Sequence, residues 1–148
     1  MIKKFKFGLE KLLEIRIDKE EESKRKFTKT QREKQETENK LIGLKENYEK
    51  YNGIEKGESV VYQKIKRNYL YALDKGISET EKNLEIKNKE LEIRREDLIK
   101  KQIDRKTVDI LKERKYIEYT KEEDRKEQIL IDELSLYSYI RNHRKEVI

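Results

Sequence analysis

The sequence predicts an all-α protein, a long antiparallel two-helix coiled-coil hairpin with a short helical segment at its tip. Charged residues make up 47% of the 148 residues and hydrophobic residues only 33%. A compact globular domain has about 25% charged and about 45–50% apolar residues. The chain contains no Pro, so helices can run uninterrupted over long stretches. Apolar residues recur at helical spacing, which distinguishes a coiled coil from a disordered chain of similar composition.

The glycines divide the chain into two arms. Gly53, Gly57 and Gly76 lie in the middle, and the arms are nearly free of glycine. Because glycine favours turns and helix ends, we expect breaks at these positions. We therefore predict one coiled-coil domain over residues 1–148, with helix one over about 5–51, a connector containing a short helix near 59–75 over about 52–76, and helix two over about 78–142.

Helix one carries a heptad frame. Alternating steps of four and three residues give the series Leu9, Leu13, Arg16, Glu20, Ser23, Phe27, Thr30, Lys34, Thr37, Leu41, Leu44, Tyr48 and Tyr51. Both ends of the series are apolar, but between Arg16 and Thr37 only Phe27 is hydrophobic. Burial of these positions drives supercoiling. We therefore expect the middle of helix one to be helical but loosely paired.

Helix two shows three sequence features. Leu84, Leu91 and Leu98 recur every seven residues, and Ile103, Ile110 and Ile117 do so on a shifted phase, which indicates a stutter. Residues 78–81 have the spacing of a capping box. A broad apolar face follows near the C-terminus, formed by Ile129, Leu130, Leu134, Leu136, Tyr137 and Ile140. An antiparallel hairpin predicts that this face meets Phe5, Leu9, Leu12 and Leu13.

The segment between the arms is unusually apolar and aromatic for a connector. Its residues of this kind are Val60, Val61, Tyr62, Ile65, Tyr69, Leu70, Tyr71, Ala72 and Leu73. One interpretation is that they only close the hairpin against Leu41, Leu44, Tyr48 and Tyr51. The other is that part of the cluster stays exposed, because tyrosine-rich apolar patches are typical of protein interfaces.

The residue types disfavour catalysis and cofactor binding. The chain has one histidine, His143, and no cysteine, so a transition-metal site has too few ligands. Asp132 and Glu133 are adjacent on a helix and do not face each other. We therefore predict no catalytic, cofactor-binding or metal-binding residue, no small-molecule substrate, and no enzymatic activity.

Charge and hydropathy restrict the partners further. The net charge is +6, from 38 basic and 32 acidic residues that are interspersed along the chain. Nucleic-acid binding is disfavoured, since only Lys64, Lys66, Arg67, Tyr69 and Tyr71 approach a basic stripe with aromatics. The distribution of apolar residues along the sequence shows neither a signal peptide nor a membrane span, so we expect a cytosolic protein.

Two motifs, in the expected order, resemble the FliJ family of flagellar type III export proteins. Residues 5–16, FKFGLEKLLEIR, resemble the opening F.F.L..LL..R signature of that family. Residues 111–114, LKER, followed by Tyr119, Glu127 and residues 132–134, DEL, are similar to its LKER…Y…E…DE pattern. Chain length and the hairpin pattern fit the family over essentially the whole sequence.

The resemblance implies a fold like the central stalk of rotary ATPases and a role in flagellum biogenesis, motility and chemotaxis. Such a protein would insert into the ring of the flagellar export ATPase, promote its assembly and activity, contact the membrane export-gate protein, and escort export chaperones. Its location would be cytoplasmic, with peripheral association at the cytoplasmic face of the membrane through the export apparatus.

The resemblance also implies contact residues. For the export ATPase these are Phe5, Leu9, Leu13, Arg16, Leu111, Arg114, Asp132 and Glu133. For the export gate they are Leu41, Leu44, Tyr48, Ile65, Tyr69 and Ala72, with Thr37 at a position where the family tends to have a longer polar side chain. The alternative function is a self-assembling structural coiled coil without an ATPase partner.

Overall fold

Two long helices make up nearly all of the computed structural model, which describes residues 4–146. Helix α1 spans Glu10–Tyr51, 42 residues, and helix α2 spans Val60–Glu146, 87 residues. Residues 52–59 connect them, and the described residues include no strand. The prediction of an all-α fold, with two long helices packed against each other, is confirmed.

Helix α1 begins at Glu10, a few residues after the predicted start. Gly8 precedes it, and glycine is about 1 kcal/mol less favourable than alanine in a helix. The first turn is anchored by the Glu10 amide, which donates to the Phe7 carbonyl over 3.2 Å. The helix ends at Tyr51 as predicted, and Gly53 and Gly57 follow with φ of 105° and 90°. Glycine adopts this left-handed region without steric cost, so both residues turn the chain.

Helix α2 begins after Ser59, which caps it. The Ser59 hydroxyl accepts a hydrogen bond from the Tyr62 amide at 3.2 Å, and the Ser59 carbonyl accepts one from Gln63 at 3.0 Å. A serine in this position satisfies amides that have no partner inside the helix. The segment predicted as a short helix is therefore helical, but it forms the first turns of α2.

The predicted break after Gly76 is wrong, because α2 continues through it to Glu146. Gly76 lies against α1, where an added Cβ would be 3.9 Å from Leu44 Cδ1. The Thr80 hydroxyl donates to the Gly76 carbonyl over 2.7 Å. Packing of this turn offsets the weak helix propensity of glycine, and the capping box predicted at residues 78–81 is not needed.

Contacts group the chain into two compact units, each containing part of both helices. Unit 1 comprises Met1–Ile17 and Ile103–Ile148, and unit 2 comprises Asp18–Gln102. That residues 1–148 form one coiled-coil domain stays a prediction.

Unit 2 is an antiparallel helical hairpin. The Ser23 hydroxyl donates to Asp97 Oδ2 at 2.7 Å, and Lys87 Nζ donates to Glu33 Oε2 at 2.7 Å. From Ser23 to Glu33 the chain advances ten residues along α1, while their partners, Asp97 and Lys87, are ten residues apart in the opposite direction along α2. The two helices are therefore antiparallel. Near the connector, the rings of Tyr51 and Tyr69 meet edge to face at 5.5 Å.

The heptad series predicted for α1 is the inward face of unit 2. All its members from Glu20 to Tyr51 are buried or half-buried. Ser23 and Thr30 are 4% and 3% exposed, as fully buried as Leu91 at 6%. The expected loose pairing of this stretch is therefore not what the structure shows. Small hydroxyl side chains occupy these layers, and the Ser23 hydroxyl is satisfied by the partner helix, which offsets the cost of burying it.

Unit 1 is held together by an aromatic cluster and polar contacts. The Phe5 ring lies 5.4 Å from the rings of both Tyr116 and Tyr119. Lys112 Nζ contacts both carboxylate oxygens of Glu10, at 3.0 and 2.9 Å. Below them, Leu13 and Val108 are buried. Arg16 Nη1 donates to the Asp104 carbonyl over 2.7 Å.

The stutter predicted in helix two is wrong. Ile103, Ile110 and Ile117 are all at least 46% exposed. The half-buried positions of α2 in unit 1 include Arg105, Lys112 and Tyr119, which continue the seven-residue spacing of Leu84, Leu91 and Leu98. Arginine and lysine can occupy inward positions because their stems are apolar and their charges pair: Arg105 with Asp109, and Lys112 with Glu10.

Candidate protein-interaction surfaces

The residues that the family resemblance assigns to ATPase contact divide into two groups in unit 1. Phe5, Leu13 and Arg16 face the other helix, where Leu13 is buried and Arg16 is half-buried. Leu9, Leu111 and Arg114 are exposed. Since Glu10 pairs with Lys112, these exposed residues lie at one level of the helix pair, and we call them the base surface. The inward group contributes to the helix pairing that places these exposed residues at one level.

Asp132 and Glu133 are not brought to the base surface. Both are exposed, and they follow Arg114 in α2 by 18 and 19 residues. They belong to a stretch that we call the C-terminal segment, residues 124–146, in which every residue is exposed. Asp132 accepts a hydrogen bond from the side chain of Gln128 at 2.9 Å, a contact within its own helix.

The predicted contact between the C-terminal apolar face and the N-terminal cluster is wrong. Phe5 meets Tyr116 and Tyr119, and Glu10 meets Lys112. In this antiparallel register, α2 passes the described N-terminal residues by about Tyr119. Ile129, Leu130, Leu134, Leu136, Tyr137 and Ile140 consequently remain 42–66% exposed.

The predicted gate residues divide in a similar way in unit 2. Leu41, Leu44 and Tyr48 of α1 point inward, with Leu41 buried and the other two half-buried. Three residues on the first turns of α2 are exposed, namely Ile65, Tyr69 and Ala72. The Thr37 hydroxyl donates to the Glu33 carbonyl of its own helix at 2.8 Å. The first group shapes the hairpin, and only the second is accessible.

Part of the apolar connector region closes the hairpin, and another part stays exposed, so each of the two interpretations holds for some of its residues. Leu73 is buried and Leu70 half-buried, so these residues close the hairpin. A larger set stays exposed, and we call it the tip surface: Val60, Val61, Tyr62, Ile65, Tyr69, Tyr71 and Ala72. Exposed apolar and aromatic groups in one place are typical of binding surfaces.

A groove of about 480 Å³ lies beside the tip surface, between the connector and α2. Its lining includes Glu58 and Lys66, whose side chains pair at 3.0 Å and are each only 10% exposed. The hydrogen bond to Glu58 raises the pKa of Lys66, against the opposing effect of its burial. The second carboxylate oxygen of Glu58 is buried without a hydrogen-bond partner. This pair fixes the connector onto α2.

Sequence reasoning missed this ion pair and the Ser23–Asp97 hydrogen bond. Glu58 and Lys66 are eight residues apart, on either side of the start of α2, so no helical spacing rule connects them. Ser23 and Asp97 are 74 residues apart. A polar residue at a heptad position was the one signal available for Ser23.

A charged pair spans the start of the C-terminal segment on one helix face. Arg125 donates two hydrogen bonds to Glu122, at 3.1 and 2.7 Å. These bonds lower the pKa of Glu122 and raise that of Arg125. Further along, the rings of Tyr139 and His143 stack at 5.5 Å. These side-chain contacts therefore all lie within α2 itself.

Within residues 4–146, no group of three or more His, Cys, Asp or Glu residues is arranged to hold a metal ion. In the same range, neither helix has a stretch long and apolar enough to cross a membrane.

An all-α helix pair with exposed apolar groups at the base surface, the tip surface and the C-terminal segment defines a coiled-coil protein built for contact with other macromolecules. The sequence model of the flagellar FliJ protein family matches residues 5–144. The chain therefore belongs to the FliJ family, which confirms the resemblance of its motifs. No curated protein and no solved structure matches it significantly.

Family membership places the protein in flagellum biogenesis. It is a coiled-coil protein related to flagellar export, and its family is a non-catalytic component of that process. Its association is with the flagellar export machinery.

Proposed function

We propose that this protein is a central-stalk-like coiled coil that binds the flagellar export ATPase ring and promotes its assembly and activity. The observation that carries the proposal is the match of residues 5–144 to the FliJ family in a chain made almost wholly of two paired helices. A stalk must be stiff and must present side chains outward. The polar contacts across the pair supply the first property, and the base surface supplies the second.

Leu9, Leu111 and Arg114 are the residues we assign to direct ATPase contact. They are exposed at one level of unit 1, and Arg114 has no ion-pair partner among residues 4–146. Exposed leucines and an unpaired arginine suit a protein partner, since arginine is enriched at interfaces. Phe5, Leu13 and Arg16 act by holding the helices in register. Asp132 and Glu133 offer acidic contacts further along α2 when the chain is monomeric.

The tip surface is the proposed contact for the export gate. Ile65, Tyr69 and Ala72 lie on α2 and are exposed, as a direct contact requires. Leu41, Leu44 and Tyr48 support that surface from within the hairpin. Loss of the inward residues would therefore weaken gate binding through the fold, whereas loss of Ile65 would weaken it directly.

The remaining parts of the proposal concern location and cargo. The protein works in the cytoplasm and associates peripherally with the cytoplasmic face of the membrane through the export apparatus. It escorts export chaperones, and it acts by binding, without catalysis or a cofactor of its own. Family membership supports these roles, and nucleic acid is not among the proposed partners.

Turnover of the cognate export ATPase, measured with and without this protein, tests the central proposal. We expect the wild-type chain to raise turnover, and the double variant Leu9→Ser/Leu111→Ser to lose most of that effect. The matched control is Ile42→Ser/Ile86→Ser, which removes two similarly exposed apolar side chains from unit 2. Absence of binding and of any change in turnover at saturating concentration would contradict the proposal.

Gate contact needs a separate experiment. Binding of the purified cytoplasmic part of the export-gate protein is measured with Ile65→Asp and with Ile93→Asp, whose side chains are 61% and 65% exposed. We expect Ile65→Asp to weaken binding at least tenfold, about 1.4 kcal/mol, and Ile93→Asp to leave it unchanged. Equal effects of both variants would remove the tip surface from the proposal.

The alternative, a structural coiled coil without an ATPase partner, is favoured by one observation. The C-terminal segment exposes a large apolar face that an assembly could bury. Stimulation of the ATPase decides between the two functions, because a purely structural coiled coil has no effect on turnover.

A further inference from the structure

The C-terminal segment, residues 124–146, has no covering element among the described residues. All 23 of its residues are exposed, and eight of them are large and apolar, with exposed fractions between 42% and 66%. Contiguous exposed apolar surface of this kind marks an interface in soluble proteins. The question is which surface fits it.

One face of the helix in this segment carries a stripe of both apolar and charged residues. Steps of three and four residues place five residues on one face of the helix, which we call the C-terminal stripe: Leu130, Glu133, Tyr137, Ile140 and Arg144. Leu134 and Leu136 flank it on its two sides. Among residues 4–146, neither Glu133 nor Arg144 has an ion-pair partner. The stripe therefore contains apolar residues between two unpaired, opposite charges.

The stripe is complementary to a reversed copy of itself. Glu133 and Arg144 lie at equal distances from the peptide bond between Ser138 and Tyr139, and so do Tyr137 and Ile140. Two copies arranged antiparallel about a two-fold axis at this point would place Glu133 opposite Arg144, and Tyr137 opposite Ile140, in both directions. A two-fold interface repeats each contact, so every favourable pair occurs twice.

A parallel arrangement lacks this complementarity. It would place Glu133 against Glu133 and Arg144 against Arg144 in the partner, and like charges in a seam are unfavourable. A different protein would need to place a basic residue opposite Glu133, apolar residues opposite the apolar pair, and an acidic residue opposite Arg144. A second copy of this chain supplies that order without any further assumption.

We propose that a second copy of this chain covers the C-terminal stripe from Glu133 to Arg144, forming a two-fold antiparallel homodimer centred between Ser138 and Tyr139. About this axis residues 131–146 pair with the same residues of the second copy, and this stretch spans about 24 Å at 1.5 Å per residue. The interface is therefore small, and its dimer is weak and concentration-dependent. The inference does not rest on the proposed function, because it follows from the charges and exposure of one segment.

Reversal of the two charges tests the pairing in the full-length chain. Sedimentation equilibrium over a dilution series gives the dimer dissociation constant. We expect Glu133→Arg and Arg144→Glu each to raise that constant at least tenfold, since each creates two like-charge contacts. The double variant Glu133→Arg/Arg144→Glu restores both contacts, and its constant should return to within about threefold of the wild type.

A matched control reverses a charge off the stripe. Asp124 is exposed and precedes Glu133 by nine residues, which places it on the opposite side of the helix. Asp124→Arg should leave the dissociation constant unchanged. Circular dichroism of each variant confirms that the helix content is retained, since all three positions are exposed.

Cysteine cross-linking tests the direction of the pair. The chain contains no cysteine, so a variant carries only the thiol introduced. In the antiparallel dimer, Glu133→Cys of one copy is next to Arg144→Cys of the other. Copies of a single variant hold their thiols about 16 Å apart along the axis, too far for a disulfide. Mixed variants should therefore cross-link, and single variants should not.

Three results would overturn the proposal. The first is a wild-type chain that stays monomeric at every concentration. This result includes the case in which only a different protein covers the stripe. The second is a dimer that neither charge reversal weakens or that the double variant fails to restore. The third is cross-linking of each single cysteine variant with itself, which requires a parallel pair.

Discussion

Ser23 and Asp97 join the two helices of unit 2 through a 2.7 Å hydrogen bond at a position where Ser23 is only 4% exposed. The contact links a small polar residue in a heptad position to a carboxylate 74 residues away. Burying a hydroxyl is costly unless it is hydrogen-bonded. The pair therefore stabilises one register of the helices, because a shift of α2 would leave both groups without this partner.

Replacement of Ser23 by alanine tests that role. The Asp97 carboxylate would lose its donor, and removing one partner from a hydrogen bond to a charged group costs about 1.5–3 kcal/mol. We expect Ser23→Ala to lower the free energy of unfolding by about 2 kcal/mol, measured by chemical denaturation. Thr28→Ala is the control, since the Thr28 hydroxyl is exposed and bonds only to the Lys24 carbonyl of its own helix. Equal losses in both variants would contradict the assignment.

Leu13 supplies a second stability prediction, in unit 1. It is 4% exposed, and Leu9, one helical turn earlier, is 43% exposed. Leu13→Ala removes buried methyl groups and leaves a cavity, which costs about 2–5 kcal/mol in protein cores. Leu9→Ala should cost less than about 1 kcal/mol. Thermal unfolding followed by circular dichroism measures both, and a larger loss for Leu9→Ala would show that the inward face has been misidentified.

Gly76 tests whether α2 is continuous. Its φ is not positive and an added Cβ would make ordinary contact with Leu44 Cδ1 at 3.9 Å. Alanine is about 1 kcal/mol more favourable than glycine inside a helix, so Gly76→Ala should raise the free energy of unfolding by about 0.5–1 kcal/mol.

Gly53→Ala is the matched control for that substitution. Gly53 has a φ of 105°, a conformation that alanine adopts only with strain, so this variant should be less stable than the wild type. A destabilised Gly76→Ala protein would indicate that the chain breaks at Gly76, as the sequence alone suggested.

The heptad series of α1 could be predicted because it depends on local spacing. Leu41 and Tyr48 recur at seven residues, and periodicity alone places them inward. The break at Gly76 could not be corrected from sequence, because a contact with Leu44 from the other helix offsets the cost of glycine. Propensity is a weak prior that such packing overrides.

The register of unit 1 was also beyond the sequence. Apolar residues suggested that Ile103, Ile110 and Ile117 face inward, whereas Val108 is the buried residue and Lys112, paired with Glu10, lies on the same inward face. A charged side chain at an inward position gives no hydrophobic signal, although its stem packs well. This phase determines which candidate site residues are exposed. The motifs therefore identified the family but did not separate the exposed candidate residues from the inward ones.

Glu33 and Lys87 give the last prediction, on pH. Lys87 donates a 2.7 Å hydrogen bond to Glu33, which lowers the pKa of Glu33 below its ordinary value of 4.5 and raises that of Lys87 above 10.5. A lowered acid pKa contributes stability above pH 4.5 that is lost as the pH falls through the folded value. A raised lysine pKa contributes stability below pH 10.5 that is lost as the pH rises through the folded value.

The pair therefore stabilises unit 2 between these limits, and Glu33→Gln should remove the effect. The free energy of unfolding of Glu33→Gln should lie below that of the wild type at pH 7, and the difference should shrink toward zero as the pH falls below the folded pKa of Glu33. Added salt should reduce the difference at pH 7, because both side chains are partly exposed. Glu36→Gln, at an exposed position without a partner among residues 4–146, should show neither dependence. If the difference in free energy of unfolding between the wild type and Glu33→Gln stayed constant across the acid range, the charge on Glu33 would not be the source of the stabilisation.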